Sequence, residues 1–339
     1  MRRVAERAAC VLGADRVSRR MHARSLLVLC YHGVRADDAP RRHWLLMPRA
    51  EFRAQMAYVA RHYRCLSIDD AIDALRRGAL SEPTACVTFD DGYRNNRTEA
   101  LPVLRELGIP ATVYLSTGLI GTDRRLWTTA LELRFERTTA TTADLRPLGL
   151  GVAALHDPGA RARAAKAACE ALKLLPAVER AERAAALAAT LPLADGEDSR
   201  PGDDGAFAMM DWDDVRAMEE TGLVTFGAHT VNHEIVSRLD DDALADEIGG
   251  SMVAVAARVS RPSRTFAYPN GRPCDYDSRA ATVIRRAGGT AALTTDERLN
   301  GPDADPFAIA RVTLGGDVTM ANFRLRVAGL GSWRRRGAA

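Results

Sequence analysis

The feature that most restricts how this chain can fold is a recurring unit, a short apolar, β-branched run followed by a helical pattern. Residues 25–31, 85–89, 111–115, 224–228, 265–268 and 291–294 read as strands, with 308–313 as a last one. Apolar residues at helical spacing mark helices at 48–62, 96–107, 240–259 and 276–287. The second of these stops at Gly108, a residue free to take the left-handed conformation that closes a helix. Strands alternating with helices assemble as a parallel sheet through right-handed crossovers, so the fold class is α/β. The Ala-rich stretch 160–191 breaks the rhythm and reads as two amphipathic helices, followed by a polar Gly/Asp-rich linker over 194–205. It is expected to be a helical insertion, about 140–205, inside one domain spanning 25–318. A basic helical extension (1–24) precedes that domain and a basic tail (319–339) follows it.

The residues able to do chemistry fall just after strands: His32, the pair Asp90-Asp91, His229, and the turn Pro269-Asn270-Gly271. In α/β barrels and open sheets the carboxyl ends of the strands form the active site, so these distant segments are expected to meet. Two adjacent carboxylates behind an apolar strand repel each other; either one caps a turn and the other is solvated, or a cation compensates them. His229 and His233, read as i and i+4 on one helical turn, would share a face with Cβ atoms roughly 5–6 Å apart, a spacing that suits a shared metal. Glu234 is expected to project to another side, into solvent. Two histidines plus one carboxylate form a three-ligand divalent-metal site with a position left for water. The remaining carboxylate can then take a proton from that water, which is the chemistry of amide or ester hydrolysis. The run Phe266-Ala267-Tyr268-Pro269-Asn270-Gly271 reads either as a plain strand entering a turn or as a backbone N–H donor to an oxyanion. His32 reads either as a structural histidine or as the proton donor to a leaving amine. Trp127 and Trp212 are expected in core or rim packing.

Composition narrows the class further. Hydrophobic content of 47% and charged content of 27% belong to an ordinary globular protein. The net charge of +3 comes from arginine, since Lys166 and Lys173 are the only lysines. Basic residues are nowhere interleaved with aromatics, so no nucleic-acid partner is expected. Six scattered cysteines without a CxxC pair indicate neither a disulfide framework nor a zinc–thiolate site; Cys30 and Cys86 read as small core residues. No apolar run is long enough to span a bilayer, and Glu6, Arg7, Asp15 and Arg16 interrupt the first segment, which therefore lacks a signal-peptide core. These features lead to the expectation of a cytoplasmic protein, whose Arg-rich ends are solvated tails or make peripheral contact with the inner membrane surface.

Thr88-Phe89-Asp90-Asp91-Gly92, with His229-Thr230-Val231-Asn232-His233, resembles the first two motifs of the polysaccharide deacetylase family (NodB homology domain, carbohydrate esterase family 4-like). The resemblance covers roughly residues 25–313, and Tyr268-Pro269-Asn270-Gly271 resembles a YPxG-type subset. It implies a distorted (β/α) barrel of about seven parallel strands. It also implies a hydrolase that removes N-acetyl groups from an amino-sugar-containing glycan or glycan precursor. One divalent metal ion is implied, zinc foremost, with cobalt, nickel or manganese as substitutes. Position by position, Asp91, His229 and His233 match the metal ligands and Asp90 the general base. Asn270 stands where a backbone N–H helps bind the oxyanion. Tyr93, Tyr268 and Pro269 are the expected substrate contacts. Two departures stand out: Ala267 occupies the position of the Arg that usually holds the base, and no histidine follows His233 to serve as general acid, which leaves His32. They keep open a catalytically impaired, carbohydrate-binding or scaffold protein, beside a metal-dependent hydrolase of another amide or ester. The expected substrate is an N-acetylated sugar, lipid- or nucleotide-linked.

Overall fold

The computed structural model describes residues 2–40, 43–194 and 205–330. Seven strands pair in parallel: β1 (Leu26–Tyr31), β2 (Thr84–Phe89), β3 (Ala111–Leu115), β4 (Val224–Ala228), β5 (Pro262–Ala267), β6 (Ala291–Leu293) and β7 (Val312–Thr313). Their order is β6-β5-β4-β3-β2-β1-β7, with the two-residue strand Arg64–Cys65 also paired to β2. The sheet curls until β6 meets the chain entering β7. Ile309 N–H donates to Ala292 O (2.9 Å) and Ile309 O accepts from Thr294 N–H (2.8 Å), which closes the distorted barrel along a short seam.

Except at the start of β5, the strands are buried on both faces, and the side chains divide with period two. Leu27, Leu29, Val87, Phe89, Val113, Phe226 and Phe266 join the core beneath the helices. Leu26, Val28, Cys86, Tyr114, Ala267 and Leu293 form a second, smaller cluster inside the barrel. That interior is partly polar: Thr112 pairs with Thr225 (2.9 Å) and Tyr114 with Thr265 (2.5 Å). Tyr114 fits because position 227 is glycine, where a Cβ would lie 2.5 Å from the tyrosine ring.

The expected helices are present as Arg49–His62, Leu101–Leu107 (entered through a wide turn at Asn96–Ala100), Asp241–Ala256 and Ser278–Arg286. Gly108 has φ 64°. The last strand is shorter than the apolar run 308–313 suggested, because Ile309 is spent on the seam and Arg311 turns inward. The insertion packs around its own cluster, in which Pro158–Leu172 and Ala177–Ala189 meet the helix Trp127–Arg137 and a two-stranded ribbon, Thr142–Asp144 with Val152–Ala154. The linker expected at 194–205 falls almost wholly outside the described residues. At the chain ends, helices Arg2–Val11 and Ala14–Met21 lie against Met320–Leu325 and the turn Arg326–Leu330. The segment expected as a tail from 319 is thus folded as far as Leu330, with Phe323 fully buried; residues 331–339 lie outside the described ones. Among the described residues no helix is long and apolar enough to cross a membrane.

Candidate active site

Asp90 extends the ladder of β2 by one residue, its N–H donating to Tyr31 O at 3.0 Å. The chain then reverses through two left-handed residues, Asp91 (φ 77°) and Gly92 (φ 93°), which turns both carboxylates into the mouth of the barrel. Glycine is required at 92, since a Cβ there would lie 2.9 Å from the Leu115 and Ile120 side chains. His229 sits at the matching point after β4, its N–H bonded to Leu115 O at 2.9 Å.

His229 and His233 do not lie on a helical turn as their spacing predicts. The segment is a loop with Thr230 (φ 61°) and His233 (φ 60°) in the left-handed region. It is held by Glu247, whose carboxylate accepts from the N–H groups of Val231 (2.9 Å) and Asn232 (2.8 Å) and from the Asn232 side chain (2.7 Å). The curl still brings the two imidazoles together, with ring centroids 4.9 Å apart. Glu234 is not solvated either: it pairs with Arg180 of the insertion, a buried guanidinium that lies 5.2 Å over the Trp127 ring.

Asp91 Oδ1 lies 3.6 Å from His229 Nε2 and 3.4 Å from His233 Nε2, and all three side chains are buried. Metal–ligand bonds of about 2.0–2.1 Å in tetrahedral arrangement put donor atoms about 3.3 Å apart, so this triangle has the size of one coordination face. His229 Nδ1 faces Ala267 O at 2.7 Å; a carbonyl can only accept, so Nδ1 carries the proton and Nε2 keeps its lone pair for the triangle. Asp91 Oδ1 has no hydrogen-bond partner among the described residues. Burial, aided by the adjacent Asp90, pushes the Asp91 carboxyl up to about 8, and burial lowers both histidines toward the neutral, ligating form. A divalent cation at the triangle resolves the orphaned oxygen and the uncompensated charge together, so the residues fit a metal.

Asp90, next to that triangle, has a different partner. Its two oxygens accept parallel bonds of 2.7 Å each from Nη1 and Nη2 of Arg311. The guanidinium is fully buried and also donates to Thr294 O (2.9 Å) and Thr88 Oγ1 (3.3 Å). Burial alone would raise Asp90, but Arg311 holds it well below the usual carboxylate range. The expectation that the base lacks an arginine because position 267 is alanine is therefore corrected: Arg311 supplies the fork from the entry to β7. Ala267 contributes its carbonyl to His229 instead.

The polysaccharide deacetylase family model matches residues 77–142 and 174–292. The chain belongs to the polysaccharide deacetylase family. Arg311 and His32 both lie outside the matched segments. The Bacillus subtilis protein YxkH, described as a polysaccharide deacetylase, is 32% identical over 103 residues, which is 30% of this chain and 35% of YxkH. The chain thus spans about a third of that relative. Among solved structures, the Streptococcus pyogenes deacetylase PplD in complex with acetate is 16% identical with a TM-score of 0.58, over 89% of this chain and 98% of that one. IcaB from Ammonifex degensii is 18% identical with a TM-score of 0.57, over 91% and 97%. At these identities the likeness shows the fold, the same curled barrel.

Within this family member, His32 stands beside Asp90 at the mouth of the barrel. His32, Cys30 and Asp90 each bring a donor atom within 4.8 Å of the others. Burial pushes His32 down to about 4, so the ring rests neutral, with Nδ1 buried and without a partner among the described residues. Trp44, half-exposed, packs its ring edgewise on His32 at 5.6 Å. Nothing in the sequence pattern marked this tryptophan. Asn270 (φ 58°) stands at the rim, its turn pinned by Thr295, whose hydroxyl donates to Asn270 O at 2.6 Å. The three expected substrate contacts are interior residues: Tyr93 packs on Phe207, Tyr268 stacks on Tyr276 and donates to Phe307 O, and Pro269 is buried. Their aromatic and apolar character is used to build the walls of the mouth. Trp127 and Trp212 are half-buried beneath arginines, in packing roles. A lone arginine in the otherwise apolar run 308–313 was the signal for Arg311, because a charge in a buried strand requires an opposite charge.

Proposed function

We propose that this protein is a metal-dependent hydrolase that removes the N-acetyl group from an amino sugar in a glycan or glycan precursor. The observation that carries the reading is the division of the Asp pair: Asp91 joins two neutral imidazoles, while Asp90, beside them, is kept ionised by Arg311. Asp91, His229 and His233 would hold the ion, and a nitrogen-rich donor set with one carboxylate favours zinc. Such an ion polarises the acetyl carbonyl and brings the pKa of bound water to about 7.

Asp90 takes a proton from the attacking water as its oxygen bonds to the acetyl carbon. Arg311 fixes the direction of that carboxylate and, by lowering its proton affinity, makes Asp90 a ready donor once protonated. His32, neutral at rest and next to Asp90, accepts the proton and delivers it to the amine nitrogen as the C–N bond breaks. The water thus supplies hydroxide to the acetyl group and a proton to the amine. The Asn270 backbone N–H donates to the carbonyl oxygen as negative charge develops there. Arg311 speaks against the impaired, carbohydrate-binding alternative, which rested in part on Ala267. The substrate we favour is a lipid- or nucleotide-linked N-acetylated sugar. Acetate release from a panel of such compounds, with EDTA and with zinc added back, tests the reading. Release that EDTA leaves untouched would refute the metal, and hydrolysis confined to other amides or esters would refute the substrate class.

A further inference from the structure

The two N-terminal helices carry their aliphatic side chains on the side away from the protein. They dock on the C-terminal helix, the turn after it and the helix Arg49–His62 through small and polar groups: Cys10 Sγ reaches Ala321 O, Ser18 Oγ donates to Ala328 O at 2.6 Å, and Asp15 accepts from Arg324 and Tyr58 at 2.9 Å. The opposite face exposes Val4 (71%), Val11 (86%), Leu12 (84%), Val17 (61%) and Met21 (78%), five of the eleven large apolar side chains exposed among the described residues. Arg3, Arg7, Arg16, Arg20 and Arg24 surround them and are exposed as well. The only two acids in this stretch, Glu6 and Asp15, turn toward the protein, to Asn322 and Arg324 respectively. Charge and apolarity are therefore sorted onto a single surface.

We propose that this surface docks on an anionic phospholipid bilayer. The aliphatic side chains would enter the boundary between headgroups and acyl chains, and the arginines would meet lipid phosphates. A second copy would bring its own arginines against these, and a nucleic acid would leave the aliphatic side chains exposed to water. The surface also adjoins the site. A cleft of ≈ 340 Å³ extends from Arg3 and Glu6 to Thr313 and Trp44, the residue packed on His32. Docking would thus hold the rim of the barrel near the headgroups. The proposal is independent of the catalytic reading, because it is measured by binding and not by acetate release.

Co-sedimentation of the full chain with phosphatidylcholine vesicles, with and without one-third phosphatidylglycerol, tests it. The anionic vesicles should bind more than tenfold tighter, and high salt should weaken that binding, since the screening length falls to about 3 Å at 1 M. Each arginine near an anionic surface contributes about a fivefold gain in affinity, so Arg16→Glu with Arg20→Glu should weaken binding by at least about 25-fold. Val11→Asp with Leu12→Asp should abolish binding to both vesicles. Neither pair should move the melting temperature, because these side chains lie on the exposed face. No sedimentation with anionic vesicles, equal binding to neutral ones, or wild-type binding by either variant would overturn the proposal. So would a solution dimer that Val11→Asp with Leu12→Asp dissolves, or displacement from vesicles by duplex DNA.

Discussion

Replacing Arg311 with methionine removes the fork that holds Asp90 and leaves a buried carboxylate without its cation. Both partners are buried and joined by two bonds of 2.7 Å. Breaking a pair of this kind by deleting one member costs about 3–5 kcal/mol, most of it from the stranded charge. Unfolding entropy of roughly 2.1 cal/mol/K per residue gives about 0.7 kcal/mol/K for 339 residues, so the melting temperature should fall by about 4–7 °C at neutral pH. The sign of the pH dependence follows from the depressed Asp90. Its contribution is present above the ordinary carboxylate pKa and is lost as pH falls through the depressed one, so the gap between wild type and variant should narrow in acid. In an Asp90→Asn background the same Arg311→Met change should be much milder, since no charge is stranded. Arg311 forms no hydrogen bond with Asp91, His229 or His233, the proposed metal ligands, so metal content should persist while kcat drops by about 10²–10⁴, the worth of a general base. Arg311→Lys should recover part of the stability but less of kcat. Scanning calorimetry on the four proteins of the cycle and on Arg311→Lys, with elemental analysis and an acetate assay, reads all of this. An Arg311→Met protein with wild-type melting temperature and kcat would refute the reasoning.

Stripping metal with EDTA should destabilise the protein by an amount that grows as pH rises from about 4 to about 8. Without the ion Asp91 is pushed up to about 8, and a raised carboxylate gives stability in acid that is lost as pH climbs through that value; a melting-temperature gap independent of pH over this range would argue against a cation at Asp91. His32→Gln should keep metal and fold but lower kcat by about 10²–10⁴, and in the metal-free wild type the His32 ring should titrate by NMR near 4; a normal midpoint near 6.5 would contradict its burial beside Trp44. Glu247→Ala unties the loop carrying both histidines, so zinc affinity measured by competition with a chelator should fall by about 10–100-fold, and unchanged affinity would show that the loop needs no such brace.

The sheet was legible because period-two burial and β-branched runs are local. Ala111–Leu115 and Val224–Ala228 have the ends that the pattern predicts, and the residues at their carboxyl ends were rightly expected to converge. The Asp90-Asp91 pair and the two histidines also carried their chemistry in the sequence. What the sequence concealed depends on contacts between distant residues. Arg311 meets Asp90 across 221 positions, and only the curl of the sheet onto Ile309 makes that contact possible. The His229–His233 loop has a spacing that fits a helix, but Glu247 and two left-handed residues give it another path. Tyr93 and Tyr268 are named as substrate contacts by their motifs alone, and their burial against Phe207 and Tyr276 is set by residues far from those motifs. The inverted amphipathicity of the first two helices becomes visible only when the C-terminal helix shows which side is covered.

The central claim is that Asp90 moves the proton while Asp91 and the two histidines keep the metal. Acetate released per bound zinc by wild type and by Asp90→Asn, from one N-acetylated amino-sugar substrate, tests it most directly. Equal zinc in both proteins, with acetate release lost only from the variant, is the predicted result. An Asp90→Asn protein that turns over at the wild-type rate, or one that loses its zinc, would contradict it.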